Sequence, residues 1–329
     1  MTALSRRAFG ASALAGAGAI AVRQIRTAEV VADRRKPRSR VGILNADSYS
    51  SALADTLLGG LRLFGLDVRG AAVLLKPNLV EYIPGAEVNT NPLLVGAAAD
   101  AFLELGAKSV TVAEGPGHQR DTYLVLAENG LETQLRERKL RFVDLNRDDV
   151  RQVKVTTPFT GLDSLWLPES ILATDLMVSM PKVKTHHWAG VTLSLKNMFG
   201  AIPGSVYGWP KNVLHWKGVD RSILDINSTI TAHFVIADGI VAMEGNGPLQ
   251  GTARPLGRIV LGDDPVAADF TCARLMGFEP YRIPHLAKAA EFLGNGDVRR
   301  IEQLAETLPK TVGPFSVLPE FKHLIAEAT

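Results

Sequence analysis

DLMVSMPKVKTHHWAGVTLSLKNMFGAIPG, residues Asp175 to Gly204, is the stretch whose reading decides the fold. Its opening, Asp175-Leu-Met-Val-Ser179, is a short apolar run of the kind that buried strands show. The remainder, Met180 to Gly204, sets three lysines, two histidines and an asparagine among residues that are otherwise mostly apolar or small. Ligands in open α/β sheets bind beyond the carboxyl ends of the strands, so polar residues emerging where a buried strand stops mark a candidate site. The spacing predicts a helix over 189–199, with Thr192 and Lys196 on one face, Gly200 ending it and Pro203-Gly204 turning the chain. Lys182, Lys184, His186 and His187 are then expected in a loop above the N-terminus of that helix.

Upstream, strand and helix alternate. Val41-Gly-Ile-Leu44, 71–75, 109–113 and 140–144 read as strands, while 50–64, 93–105 and 123–138 carry helical apolar spacing. Stretches 153–157 and 164–167 suit a hairpin, followed by one helical turn over 168–173. Downstream, helix 221–231, strands 233–237 and 256–261, a helix opened by Asp264-Pro265 and an amphipathic helix near 286–293 follow. The expected fold is therefore α/β, a mostly parallel sheet with helices on both faces, with two α/β lobes enclosing the site as the alternative.

Three polar clusters fall at strand ends in this map. Lys76-Pro77-Asn78 follows the second strand, where proline stops the ladder and leaves a cation and an amide at the rim. Glu114-Gly-Pro-Gly117-His118-Gln119-Arg120 follows the third, in a tight turn that offers backbone N–H groups to an anion. It has neither the G-x-G-x-x-G order nor the P-loop pattern, so a nucleotide site is not indicated. The third cluster is the opening stretch. Glu244, in a loop expected over 243–248, is a candidate partner for these cations, and His215 lies between Trp209 and Trp216.

The 36 basic and 34 acidic residues nearly cancel over the whole chain, and much of the basic excess lies in the first forty positions. Charge therefore gives no case for nucleic acid. The single cysteine, Cys272, excludes an intramolecular disulfide or an all-cysteine iron–sulfur site, and its apolar flanks predict a buried, inert thiol. Ser5-Arg6-Arg7-Ala8-Phe9 precedes an uncharged, Gly/Ala-rich run over 10–22 that is too short to span a bilayer. This resembles a twin-arginine export signal, with cleavage expected between Ala19 and Ala32. The expected division is a signal and basic linker over 1–40 and one α/β domain over 41–329, exported by the twin-arginine machinery to the periplasm or beyond.

KPNLV at Lys76, AEGPGHQRD at Ala113, MPKVKTHHWAG with SLKNMFGAIPG, IADGIVAMEGNGP at Ile236 and GDDPVAAD at Gly262 together resemble the bacterial and archaeal family called domain of unknown function 362. Some members of that family carry a ferredoxin-like cysteine segment. This chain does not, so no iron–sulfur cluster is expected. A site-level resemblance points to nickel-pincer lactate racemases, in which a histidine followed by x-x-A-G stands ten positions before the lysine that holds the cofactor. His186-His-Trp-Ala-Gly190 and Lys196 repeat that spacing, and Ile202-Pro203-Gly204 follows. Their catalytic loop G-x-H-R is similar to Gly117-His118-Gln119-Arg120 with one residue inserted. Ser194-Leu195 stands where those enzymes have two glycines.

Together these readings predict a site of Lys76, Asn78, His118, Arg120, Lys184, His186, Lys196 and Asn197, with Glu244 as a neighbouring carboxylate. The expected chemistry is proton or hydride transfer on a small anionic substrate such as a hydroxy acid. His118 and His186 are the expected acid and base, Arg120 and Lys184 the carboxylate holders, and Lys196 the residue that orients or carries a cofactor, a metal or nickel-pincer-like group. A periplasmic binding protein for an anionic ligand, without catalysis, is the other reading.

Overall fold

The computed structural model describes residues 31–117, 121–157, 159–309 and 313–327. Twelve strands lie along these residues: β1 (Ser39–Asn45), β2 (Ala72–Pro77), β3 (Ser109–Glu114), β4 (Arg141–Asp144), β5 (Val150–Lys154), β6 (Ser164–Pro168), β7 (Leu176–Met180), β8 (Lys182–His186), β9 (Gly190–Thr192), β10 (Phe234–Asn246), β11 (Gln250–Gly262) and β12 (Ile301–Ala305). β5 and β6 form the expected separate hairpin. The other ten make one sheet in the order β12-β1-β11-β10-β7-β2-β3-β4, with β8 joined to β10 and β9 joined to β8. One sheet thus runs through the body in place of two lobes.

Most pairings are parallel, as the strand–helix alternation predicts. β11, antiparallel to both β1 and β10, and β9, antiparallel to β8, are the exceptions. The central strands β2 and β7 are buried on both faces, and neighbouring side chains alternate between two cores. Val73 and Leu75 pack with helices Leu53–Leu63 and Pro92–Glu104, whereas Leu74 joins the core of helices Val219–Thr229 and Pro265–Leu275. Helices therefore cover both faces. None of the described helices is long and apolar enough to cross a membrane.

The sheet divides at its centre, and this creates the site. Pairing between β2 and β7 runs out at Pro77 opposite Met180. The chain passes Pro181 and continues as β8, which leaves β2 and follows β10, with Lys182 beside Asp238 and Lys184 beside Met243. β9 folds back antiparallel on β8, pairing Lys184 with Thr192 and His186 with Gly190. β2 and β3 end at the step while β8, β9 and β10 continue past it.

Several local expectations are corrected. Residues 182–186 are a fully buried strand rather than a loop. The helix expected over 189–199 is strand β9, then a single helical turn, Ser194–Asn197, then a 3₁₀ turn, Met198–Ala201. Gly190, at φ 75°, makes the tight reversal, and the β-branched Val191 and Thr192 suit the strand. The loop expected over 243–248 is largely the end of β10, which with β11 forms a long hairpin. The helix expected over 123–138 is broken at Asn129-Gly130, where Gly130 has φ 84°.

The basic stretch expected as a solvated linker is tied down from Val31 onward. Val31 packs on the core, and the Arg34 amide donates to the carbonyl of Phe292. Ser39 is buried, and its hydroxyl donates to Asp264 at 2.6 Å. The expected export signal lies outside the described residues. Cys272 is buried as expected, and burial pushes its thiol pKa up, away from the reactive thiolate.

Candidate functional site

A cavity of about 210 Å³ opens at the step in the sheet. Asn78 and Glu114 reach it from the ends of β2 and β3, Lys184 and His186 from β8, and Thr192 from β9. Lys196 and Asn197 come from the short helix that follows, and Lys211 and His215 from the loop and helix after it. Leu79, Trp188, Phe199, Pro210, Pro248 and Leu249 supply apolar wall. The alternation of β8 explains its contribution: Lys182, Lys184 and His186 share one face of the strand while Val183 turns into the core.

Under the wall lies a buried ion pair. Lys76 Nζ donates to Glu114 Oε2 at 2.5 Å and to Asn197 Oδ1 at 3.2 Å. The Asn197 amide nitrogen returns a bond to the Lys76 carbonyl and another to the hydroxyl of Ser179. Burial lowers the Lys76 pKa, and the Glu114 charge opposes that shift. A Cβ on Gly200 would run into the Glu114 carboxylate and the Lys76 amine, so only glycine allows this close approach. Lys211 locks the neighbouring loops, donating to the carbonyls of Gly115 at 2.7 Å and Phe199 at 2.9 Å. Asn146, beyond β4, fixes the Gly115-Pro116 turn by donating to the Pro116 carbonyl and accepting from the Gly204 amide.

The cavity is rich in lysine and poor in counter-charge. Among the described residues Lys184 donates only to the Val88 carbonyl, at 2.6 Å. Burial, then the charges of Lys182 and Lys196, lower its pKa well below the ordinary lysine value. Lys196 lies over the Phe199 ring, 4.2 Å from its centroid, and burial followed by the Lys76 charge lowers its pKa to about 8. Burial brings Lys211 to about 7. Among the described residues the one carboxylate in the cavity wall is Glu114, already engaged by Lys76.

Hydrogen bonds set the tautomers of three histidines that line the cavity. His186 Nδ1 accepts from the amides of Trp188, at 3.0 Å, and Ala189, at 3.2 Å. Its proton therefore sits on Nε2. Burial, then Lys196, holds its pKa well below the usual range, so His186 is a neutral donor. His187 and His215 are the reverse case. Their Nδ1 atoms face the carbonyls of Gly247, at 2.8 Å, and Lys211, at 3.2 Å, which only accept. In the neutral ring each must donate from Nδ1, which puts the basic lone pair on Nε2. Burial, then Lys196, lowers the His215 pKa. The rings of His186 and His187 stack with centroids 5.0 Å apart, and Trp188 makes edge contacts with His187 and His215.

Of the residues expected from sequence, Asn78, Lys184, His186, Lys196 and Asn197 line the cavity, and Lys76 lies directly beneath it. His118 and Arg120 lie outside the described residues. Glu244 is not part of the site: its carboxylate accepts from the Ser316 amide at 2.9 Å and lies 3.8 Å from Arg254. Glu114 was placed in the strand-end cluster but left out of the expected site, and Lys211 was missed, along with the roles of His187 and His215. Lys211 carries no local signal, because its partners are carbonyls far away in sequence.

A family profile described as domain of unknown function (DUF362) matches residues 73–274. The chain belongs to this family. The thylakoid-associated protein of Synechocystis sp. is a relative, 32% identical over 265 residues, which are 77% of this chain and 79% of the relative. Among solved structures, the lactate racemase apoprotein of Thermoanaerobacterium thermosaccharolyticum aligns with a TM-score of 0.45 and 12% identity, over 72% of this chain and 57% of that one. A structural-genomics structure of a protein from Thermotoga maritima aligns with a TM-score of 0.42 and 13% identity, over 70% of this chain and 60% of that one. The DUF362 chain thus spans somewhat under two thirds of either solved structure.

Proposed function

We propose that this DUF362 protein binds a small organic anion in the lysine cavity and moves a proton on it. The observation that carries this reading is the imbalance of charge: Lys184, Lys196 and Lys211 line one cavity whose described carboxylate is already paired. Burial, only partly opposed by Glu114, drives the lysines toward their neutral forms, with Lys196 lowered to about 8 and Lys211 to about 7. A bound carboxylate would favour their charged forms, so binding should take up protons.

His186 Nε2–H suits hydrogen bonding to an oxygen of the ligand, whereas the basic Nε2 atoms of His187 and His215 suit proton abstraction. The base expected at His186 is thereby reassigned. A hydroxy acid is one ligand of the required charge and size. Lys196 lines the cavity, and a small cofactor attached covalently to its amine would supply hydride acceptance. Among the described residues no three of His, Cys, Asp or Glu gather as a metal site.

Calorimetric titration with small carboxylates and with phosphate, in buffers of different ionisation enthalpy, tests the reading. The expected result is binding with proton uptake, lost in Lys184→Met and Lys211→Met proteins that remain folded. Absence of binding for every anion, or affinity unchanged by both substitutions, would refute it. Export is proposed separately on the arginine pair at Arg6-Arg7. N-terminal sequencing of protein from the exported fraction tests that, and a mature chain found only in the cytoplasm would sink it.

A further inference from the structure

Five buried or partly buried lysines surround the step in the sheet, and four of them have oxygen partners. Lys76 pairs with Glu114, Lys182 with Asp238, Lys184 meets the Val88 carbonyl, and Lys211 meets two carbonyls. Lys196 differs: among the described residues its Nζ has no ion pair or hydrogen bond and contacts the face of Phe199. It is held on a rigid base. Asp269, itself buried, accepts from the amides of Ser194 at 2.7 Å and Leu195 at 2.9 Å, fixing the helical turn that carries Lys196. A buried amine on a residue that lines a cavity, near the Lys76 cation and with no ion pair or hydrogen bond among the described residues to hold its proton, has the environment of a nucleophilic lysine.

We infer that Lys196 forms an imine with the carbonyl carbon of a 2-oxo acid whose carboxylate is held by Lys184 and Lys211. This rests on the anion-binding reading and narrows its substrate class. In the step, the neutral Lys196 nitrogen bonds to the carbonyl carbon and the C=O electron pair moves to oxygen. That oxygen then leaves as water, both of whose hydrogens derive from the amine, while the nitrogen lone pair forms C=N. The Nε2 atoms of His187 and His215 are the cavity bases able to carry those protons, and His186 Nε2–H can bond the departing oxygen. No oxidant or reductant is consumed. Once its nitrogen takes a proton back from one of these histidines, the resulting iminium would serve as an electron sink for removal of a neighbouring proton, which is the chemistry proposed above.

The test is reductive trapping of the full chain with pyruvate and sodium borohydride, followed by peptide mapping and read beside calorimetric titration with pyruvate. Expected is N-(1-carboxyethyl)lysine concentrated at Lys196, absent without pyruvate, and lost in Lys196→Arg. The wild-type map decides even if the variant misfolds. Pyruvate that binds without a trapped adduct at Lys196 overturns the imine and leaves the anion site standing. Adducts spread over surface lysines, with no preference for Lys196, overturn it as well. No binding of pyruvate or of any other small anion overturns both readings.

Discussion

Lys182 and Lys184 stand two residues apart on the same face of β8, both with fully buried side chains, yet their surroundings are opposite. Lys182 is compensated on every side: Asp238 lies 2.9 Å away and Glu87 3.2 Å, with the Tyr49 hydroxyl and the Val241 carbonyl each at 3.0 Å. Tyr49 in turn donates to Asp238, and the Asn91 amide completes that carboxylate. Lys184 has a single carbonyl and a cavity. Burying a cation costs several kcal/mol, which an ion pair with further hydrogen bonds can offset and one carbonyl cannot. Lys182 therefore acts as a strut, while Lys184 carries an uncompensated desolvation cost that an anionic ligand could offset.

The largest effect should come from breaking the strut. Lys182→Met leaves Asp238 buried without its cation and is expected to cost about 3–5 kcal/mol in denaturant unfolding. Lys184→Met should change stability by less than about 1 kcal/mol, or raise it, because it replaces an under-compensated charge with an apolar group of similar length. Equal destabilisation by the two would dissolve the contrast.

Gly200→Ala sharpens the same contrast from the ligand side. Its methyl group must displace the Glu114–Lys76 pair, so a loss of about 1–3 kcal/mol is expected together with weakened anion binding. Wild-type stability together with wild-type binding would show that this packing is not required.

A smaller effect is expected from pH. Lys211 and Lys196 have folded-state values of about 7 and about 8, below the ordinary 10.5. Between those values and 10.5 the unfolded chain binds more protons than the folded one, so their contribution to the stability of the ligand-free protein rises with pH across that window. Anion affinity should fall over the same range as the cavity loses positive charge. Affinity that increases from pH 7 to pH 9 would contradict the assignment.

The smallest effect should be that of Glu244→Gln, expected within about 0.5 kcal/mol of wild type and without effect on anion binding. A large loss of binding would return Glu244 to the site.

The strand–helix alternation was legible because the central strands are buried on both faces and read as plain apolar runs. The rim at Lys76-Pro77-Asn78 was legible for a related reason: proline must end a ladder, and whatever follows it stands at an edge. Residues 182–186 were not. Their lysines and histidine occupy one face of a strand buried on both sides, the face that meets the cavity and its polar partners rather than solvent, and alternating polar residues there read as a loop. The helix over 189–199 failed because the Thr192–Lys196 spacing is helical, whereas Gly190 and the two β-branched residues commit the chain to a hairpin first. Glu244 was attached to the wrong cations because sequence proximity to Gly245 and Gly247 suggested a loop, while its partners come from Ser316 and Arg254. Contacts of that separation leave no trace in local pattern.

The tether at the start of the described chain limits where the polypeptide can be cut or extended. Beyond the amide contact of Arg34 with Phe292, its guanidinium reaches the Ser228 carbonyl and the Thr156 hydroxyl, and Asn295 grips both the Lys36 carbonyl and the Ser39 hydroxyl. A protease acting before Val31 would leave this clasp whole, and an affinity tag ending there should be tolerated. A cut only a few residues later would unfasten β1 from the helix that begins at Pro265. Residues before 41 therefore belong to the structure that any trimming or labelling must preserve, with Arg34, Lys36 and Ser39 carrying the contacts.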